Sequence, residues 1–221
     1  GSLVNPALLR RCKPEAEIHD SARLDLNEVL DILIPAAKAG KRVVRLHTGD
    51  PSVYGAHREQ MDALQAAGVP FAVCPGVSSF FGAAASLGAE YTLPGVSQTV
   101  ILTRAAGRTP VPEKESLSAL AAHGASMVLF LSAGRVAEAV SELLAGGYYT
   151  NETPAAVVYK ATWPDERILR TTLGELAKDA EAAGITKTAL LLIGDFLGAA
   201  YENSKLYDPS FTTEFREGKQ A

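Results

Sequence analysis

Cysteine is scarce in this chain. Cys12 and Cys74 are the only two among 221 residues, which excludes a disulfide framework and any cysteine-based metal spacing. Both read as buried or partly buried thiols in a reducing compartment, and the cytoplasm is the expected location. Long apolar runs are missing as well. None approaches the roughly 20 residues that span a bilayer, and no apolar core with a cleavage site follows the basic residues near the N-terminus, so neither a membrane partner nor a signal peptide is expected. Positive charge is not in excess: 21 Lys and Arg against 25 Asp and Glu leave a net charge of -4. That balance argues against a nucleic-acid surface, which needs a clustered basic patch, but it leaves room for an acidic small molecule held by a few local arginines. His19, His47, His57 and His123 show no ligand spacing, and no metal is expected. They read as ordinary surface or structural histidines, and His47 adjoins a Gly-Asp-Pro loop. The G-x-x-x-x-G-K-[ST] phosphate loop, the G-x-G-x-x-G dinucleotide fingerprint and the G-x-S-x-G nucleophile elbow are all absent. No internal repeat and no low-complexity segment is present.

What the chain does have is the composition of an ordinary globular protein, 47% apolar and 21% charged, and an alternation of helix and strand patterns. Asp25 to Ala39 is the clearest helix, with Leu26, Val29, Leu30, Leu33, Ile34 and Ala37 on one face, Asp25 and Glu28 as a capping box, and Pro35 as a possible kink. Arg42 to His47 reads as a buried strand, Gly55 to Ala67 as a helix ending at Gly68, Val69 to Cys74 as a short strand and Ser78 to Leu87 as a small-residue helix. This is a parallel α/β order. Pro94-Gly95 is the candidate boundary between an N-terminal domain, 1–94, and a C-terminal domain, 95–221. Beyond it, strands are expected at Gln98 to Leu102, Met127 to Leu131, Ala155 to Tyr159, Arg167 to Thr171 and Ala189 to Ile193. Helices are expected at Glu113 to His123, Arg135 to Leu144 (stopped by Gly146-Gly147), and after a second capping-box pair, Thr172 and Glu175, as far as Gly184. The fold class is therefore α/β in two halves, and a cleft between halves is a favoured ligand site.

Four loops carry the chemical interest. Thr48-Gly49-Asp50-Pro51-Ser52-Val53-Tyr54-Gly55 follows an apolar run. It reads either as a tight turn or as a place where Gly49 lets backbone approach a ligand, Asp50 bonds the ligand or braces the loop, and Tyr54 covers the pocket. Pro75-Gly76-Val77-Ser78-Ser79 is either a turn with a serine cap or a set of amides and hydroxyls at the mouth of a sheet. Arg104, Arg108 and Lys114 bracket a proline-rich stretch. They form either a solvated charged loop or a basic lip matched to carboxylates. Trp163-Pro164-Asp165-Glu166 lies between two strands, as a plain hairpin loop or as a lid.

Taken together, Thr48 to Gly55, Pro75 to Ser79, Val96 to Val100 with Gly107 to Glu115, and Ala161 to Glu166 resemble the S-adenosylmethionine-dependent tetrapyrrole methyltransferases of cobalamin synthesis, and in particular the branch that acts on precorrin-4. The resemblance runs to about Leu197. It implies a homodimer of two-domain subunits with S-adenosylmethionine in the interdomain cleft, contacted by Gly49, Asp50, Ser78, Ser79, Leu131, Ala161 and Ala189. It also implies an acidic tetrapyrrole substrate, with Tyr54, Arg104, Arg108 and Lys114 as candidate contacts, and methyl transfer to ring carbon 11. The family normally opens with a strand and a glycine-rich loop of the type G-x-G-P-G-D. The present sequence, Gly1-Ser2-Leu3-Val4-Asn5-Pro6, looks like a point just past that unit. Two other functions stand beside this one: a sister methyltransferase acting on another precorrin, uroporphyrinogen III or a macromolecule, and a non-catalytic tetrapyrrole-binding protein.

Overall fold

The computed structural model describes residues 3–198 and 200–219. The chain divides into two compact units, Gly1–Phe81 and Gly82–Ala221; the Pro94-Gly95 turn lies inside the second.

The first unit is built around two helices, α1 (Leu26–Lys38) and α2 (Arg58–Ala66). The capping box on α1 is present: Asp25 accepts from the Glu28 amide at 2.9 Å and Glu28 from the Asp25 amide at 2.8 Å. Such a cap is worth about 1 kcal/mol. The helix continues through Pro35, whose missing N–H costs one bond inside it. The two strands expected in this unit do not form. Residues 41–47 and 69–77 are free of regular structure and join no ladder among the described residues. The reason is pairing. An apolar run becomes a strand when a neighbour takes its backbone bonds and covers its side chains. Here Val44 and Val73 stay exposed, at 75% and 49%, as do Val43, Leu46 and Phe71. Cys12 and Cys74 are also exposed and free, contrary to the expected burial.

A third helix, α3 (Ser79–Leu87), runs from the last residues of the first unit into the second. The second unit then holds one sheet of five strands: β1 (Val100–Arg104), β2 (Ser126–Phe130), β3 (Pro154–Tyr159), β4 (Arg167–Thr172) and β5 (Ala189–Ile193), in the order β1-β2-β5-β3-β4. β1 and β2 are parallel, and β5 is antiparallel to both of its neighbours, β2 and β3. β3 and β4 form an antiparallel hairpin from Pro154↔Thr172 to Tyr159↔Arg167. Central strands β2 and β5 are buried at every position, as continuous apolar strings covered on both faces should be. α4 (Leu117–Ala121), α5 (Val136–Ala145) and α6 (Leu176–Ala182) contribute Leu117, Val140, Leu143 and Leu176 to the core shared with Met127, Leu129, Val157, Leu191 and Ile193. The expected helix at Glu113 to His123 is split into a short 3-10 turn, Glu113–Glu115, and α4, because Ser116 caps a new start through the Ala119 amide. The second capping box is absent. Glu175 is itself the N-cap of α6 and its carboxylate bonds Lys178 at 2.6 Å.

Candidate functional site

The strand directions place several chain reversals on one edge of the sheet. β1, β2 and β3 end there, while β4 and β5 begin there. The register pairs Arg104 with Phe130, Tyr159 with Ala189 and Tyr159 with Arg167. Leu131, Lys160, Ala161 and Thr188 are therefore the residues that step off this edge, and Ala189 is the first residue of β5.

Backbone conformation marks the same edge. Among the described residues, the non-glycine positions with positive φ are Tyr54, Ala56, Leu131, Lys160, Thr162 and Thr188. Four of these six lie at this edge of the second unit. A side chain in the left-handed region costs roughly 1–3 kcal/mol and persists only where its surroundings impose it. The surroundings are visible. Ser132, fully buried, donates its hydroxyl to the Phe130 carbonyl at 2.8 Å and accepts from the Ala105 amide at 2.9 Å, so the ends of β1 and β2 are tied across the Leu131 turn. Leu131 itself stands 64% exposed. The Lys160 amide donates to Thr188 O at 2.8 Å, joining two left-handed residues. Lys160 Nζ pairs with Asp165 at 2.5 Å and lies over the rings of Tyr159 and Trp163, at 5.1 and 5.0 Å from their centres. The pair raises the lysine's pKa and lowers the aspartate's, chiefly through that hydrogen bond.

In the first unit, Gly49 and Gly76 bring two loops together. Gly49 has φ of +63°, and a Cβ on Gly76 would lie 2.1 Å from the Gly49 carbonyl oxygen. Gly76 therefore accepts no side chain, and one on Gly49 would be strained by its left-handed φ and by Ser78 Cα at 3.2 Å. Asp50 locks the pair. It accepts from the Gly76 amide at 2.7 Å, from the Ser52 amide at 2.9 Å and from the Ser52 hydroxyl. These donors, with the Ser52 hydroxyl the strongest, hold its pKa down to about 2. Ser78 is buried and Ser79 half-buried just beyond. Tyr54, at φ 57°, leads to α2, where buried Gln60 holds the Ala56 carbonyl and accepts from Arg45. His47 sits edge-on to His57 at 5.8 Å. Burial, and then Arg45 and His57, lower its pKa and favour the neutral ring.

The basic stretch after β1 separates into two roles. Arg104 directs its guanidinium at the carbonyls of Ala105, Thr109 and Pro110, at 3.2, 3.1 and 2.8 Å. Arg135, which the sequence did not single out, holds the Ala106 carbonyl and pairs with Glu138. Both shape the loop. Arg108 and Lys114 are exposed.

The sequence-selected residues thus fall into two groups: Gly49, Asp50, Tyr54, Ser78 and Ser79 in the first unit, and Arg104, Arg108, Lys114, Leu131, Ala161 and Ala189 in the second. Of the two readings offered for Asp50, the loop brace is observed. Ser132, Thr162, Glu166 and Thr188 were not singled out as site residues. Nothing in their residue types signals a positive φ or a buried tie, which arise only in the folded chain.

A profile of the Tetrapyrrole (Corrin/Porphyrin) Methylases matches residues 2–177. The cobalt-precorrin-4 C(11)-methyltransferase of Methanocaldococcus jannaschii is 52% identical across 98% of this chain and 84% of that protein. Among solved structures, the X-ray structure of the cobalamin biosynthetic enzyme cobalt precorrin-4 methyltransferase superposes with a TM-score of 0.86 at 47% identity, covering 89% of this chain and 82% of that one. The uroporphyrin-III C-methyltransferase of Thermus thermophilus, complexed with S-adenosyl homocysteine, gives 0.65 at 28% identity, covering 78% and 74%. The chain belongs to the tetrapyrrole methylase family.

Proposed function

We propose that this protein transfers the methyl group of S-adenosylmethionine to carbon 11 of precorrin-4, with or without cobalt, in cobalamin synthesis. The observation that carries the reading is the near-full-length identity to the archaeal enzyme of that name, joined to a sheet edge at which left-handed non-glycine residues gather. The residues fit the cofactor. An adenosine and an amino-acid tail ask for close backbone, hydroxyls and an apolar surface. Gly49, Asp50, Ser78 and Ser79 in the first unit, and Leu131, Ala161 and Ala189 in the second, supply those groups.

When bound, the cofactor supplies an activated methyl on a sulfonium, and the substrate carbon is the nucleophile. The protein therefore needs no nucleophile of its own. Its task is alignment and exclusion of water, an effect worth up to ~7–11 kcal/mol in favourable cases. Exposed Arg108 and Lys114 offer charge to substrate carboxylates on a loop that Arg104 and Arg135 hold in shape, and Tyr54 is a further substrate contact. We assign the protein to the cytoplasm and to a homodimeric state, and light scattering of the purified chain tests the second.

Calorimetry with S-adenosylhomocysteine separates this enzyme from a pigment-binding protein on the same fold. About one site per chain at micromolar strength, roughly -8 kcal/mol, is expected. A folded chain that binds an acidic porphyrin and gives no heat with S-adenosylhomocysteine would overturn the reading.

A further inference from the structure

The loop from Lys160 to Glu166 holds two left-handed residues, Lys160 at φ 49° and Thr162 at φ 69°, with Ala161 between them. Neither is glycine, so the shape is imposed from outside. One side chain connects the turn to a helix. Glu166 Oε2 accepts from the Thr162 amide at 2.5 Å and from the Ser86 hydroxyl at 2.7 Å. Ser86 lies on α3 four residues after Gly82, on the same helix face. Gly82 is where the turn comes closest: a Cβ there would stand 3.3 Å from Thr162 Cγ2 and 3.7 Å from the Ala161 Cβ. The α3 face thus has a gap at Gly82 that admits the turn and a hydroxyl at Ser86 that anchors its far end. The clamp is distinct from the Lys160–Asp165 pair, which closes the loop on itself.

We infer that Glu166 is a positioning residue for the cofactor: it holds Thr162 in its left-handed form, and with it the Ala161–Thr162 peptide, against α3 and does not itself touch the ligand. This rests on the proposal that Ala161 contacts S-adenosylmethionine. Without the carboxylate, the turn relaxes toward ordinary backbone angles and the binding form becomes a minority. Both bonds fall on one oxygen, so Glu166→Gln retains them through its amide oxygen while Glu166→Ala loses both.

The test is calorimetric titration of S-adenosylhomocysteine into the whole protein and three variants, well below each melting temperature, with steady-state kinetics alongside. Glu166→Ala is expected to weaken binding about 10-fold, as when about a tenth of the molecules hold the competent turn. Its KM for S-adenosylmethionine should rise similarly, with kcat at saturation little changed. Glu166→Gln should stay within about 3-fold of the parent, and Ser86→Ala, which removes one of two anchors, should fall between. A residue important only for stability would lower the melting temperature and leave the affinity of the folded protein alone. Parent-like affinity in Glu166→Ala overturns the inference while the methyltransferase reading stands. If Glu166→Ala does not fold, Ser86→Ala decides: unchanged affinity there overturns it equally. A parent protein that binds no S-adenosylhomocysteine overturns the reading beneath it, and the inference with it.

Discussion

Asp50 is a carboxylate that serves a loop. Its three acceptor contacts join the Gly49 turn to Gly76 and Ser52, and these hold its pKa near 2, below the usual ~3.9 of an unfolded chain. The group is charged in the folded state wherever the unfolded state is, so its contribution is whole above about pH 4 and is lost as pH falls through about 2. Asp50→Asn should therefore unfold more easily than the parent at pH 5 and equal it near pH 2 in acid titrations followed by circular dichroism; a gap unchanged at pH 2 would refute the assignment. Arg104 and Arg108 differ in the same residue-level way. Arg104 is engaged with its own loop, while Arg108 is exposed. Arg108→Ala is expected to raise the tetrapyrrole KM roughly 10-fold, the loss of about 1.4 kcal/mol of charge-assisted binding, with S-adenosylhomocysteine affinity kept. An unchanged KM would remove Arg108 from the substrate site.

At the scale of elements, the turn after β2 is the most informative. Leu131 is exposed and left-handed, held by buried Ser132. Leu131→Gly should change unfolding free energy by less than about 1 kcal/mol, because relief of the left-handed cost offsets the greater freedom of glycine in the unfolded chain. Cofactor affinity should nonetheless fall; unaltered affinity would show that the strain serves something else. How far these elements were legible in the sequence depends on where each stabilising contact lies. The cap at Asp25 and Glu28 and the apolar strings of β2 and β5 are local signals, and they correspond to what is seen. The strands expected at Arg42 to His47 and Val69 to Cys74 rested on apolar runs alone, and a run cannot report whether a partner is there to pair with it. The two strands β3 and β4 were legible, with the loop between them open as a hairpin or a lid, but the Glu166 clamp was not, since Ser86 lies 80 residues earlier in the chain. The site was legible as loops and opaque as bonds.

For the whole molecule, the five-stranded sheet, the two compact units and the likeness to the tetrapyrrole methylases fix the class of chemistry. Catalysis by alignment is also consistent with the proposal that glycines, serines and backbone, rather than a nucleophile and base, make up the site. The most direct test is to incubate the protein with methyl-labelled S-adenosylmethionine and cobalt-precorrin-4, or precorrin-4, and to locate the label in the product by NMR. One labelled methyl on carbon 11, formed in proportion to enzyme, is the predicted result. A label on another ring position, or transfer to uroporphyrinogen III with none to precorrin-4, would contradict it.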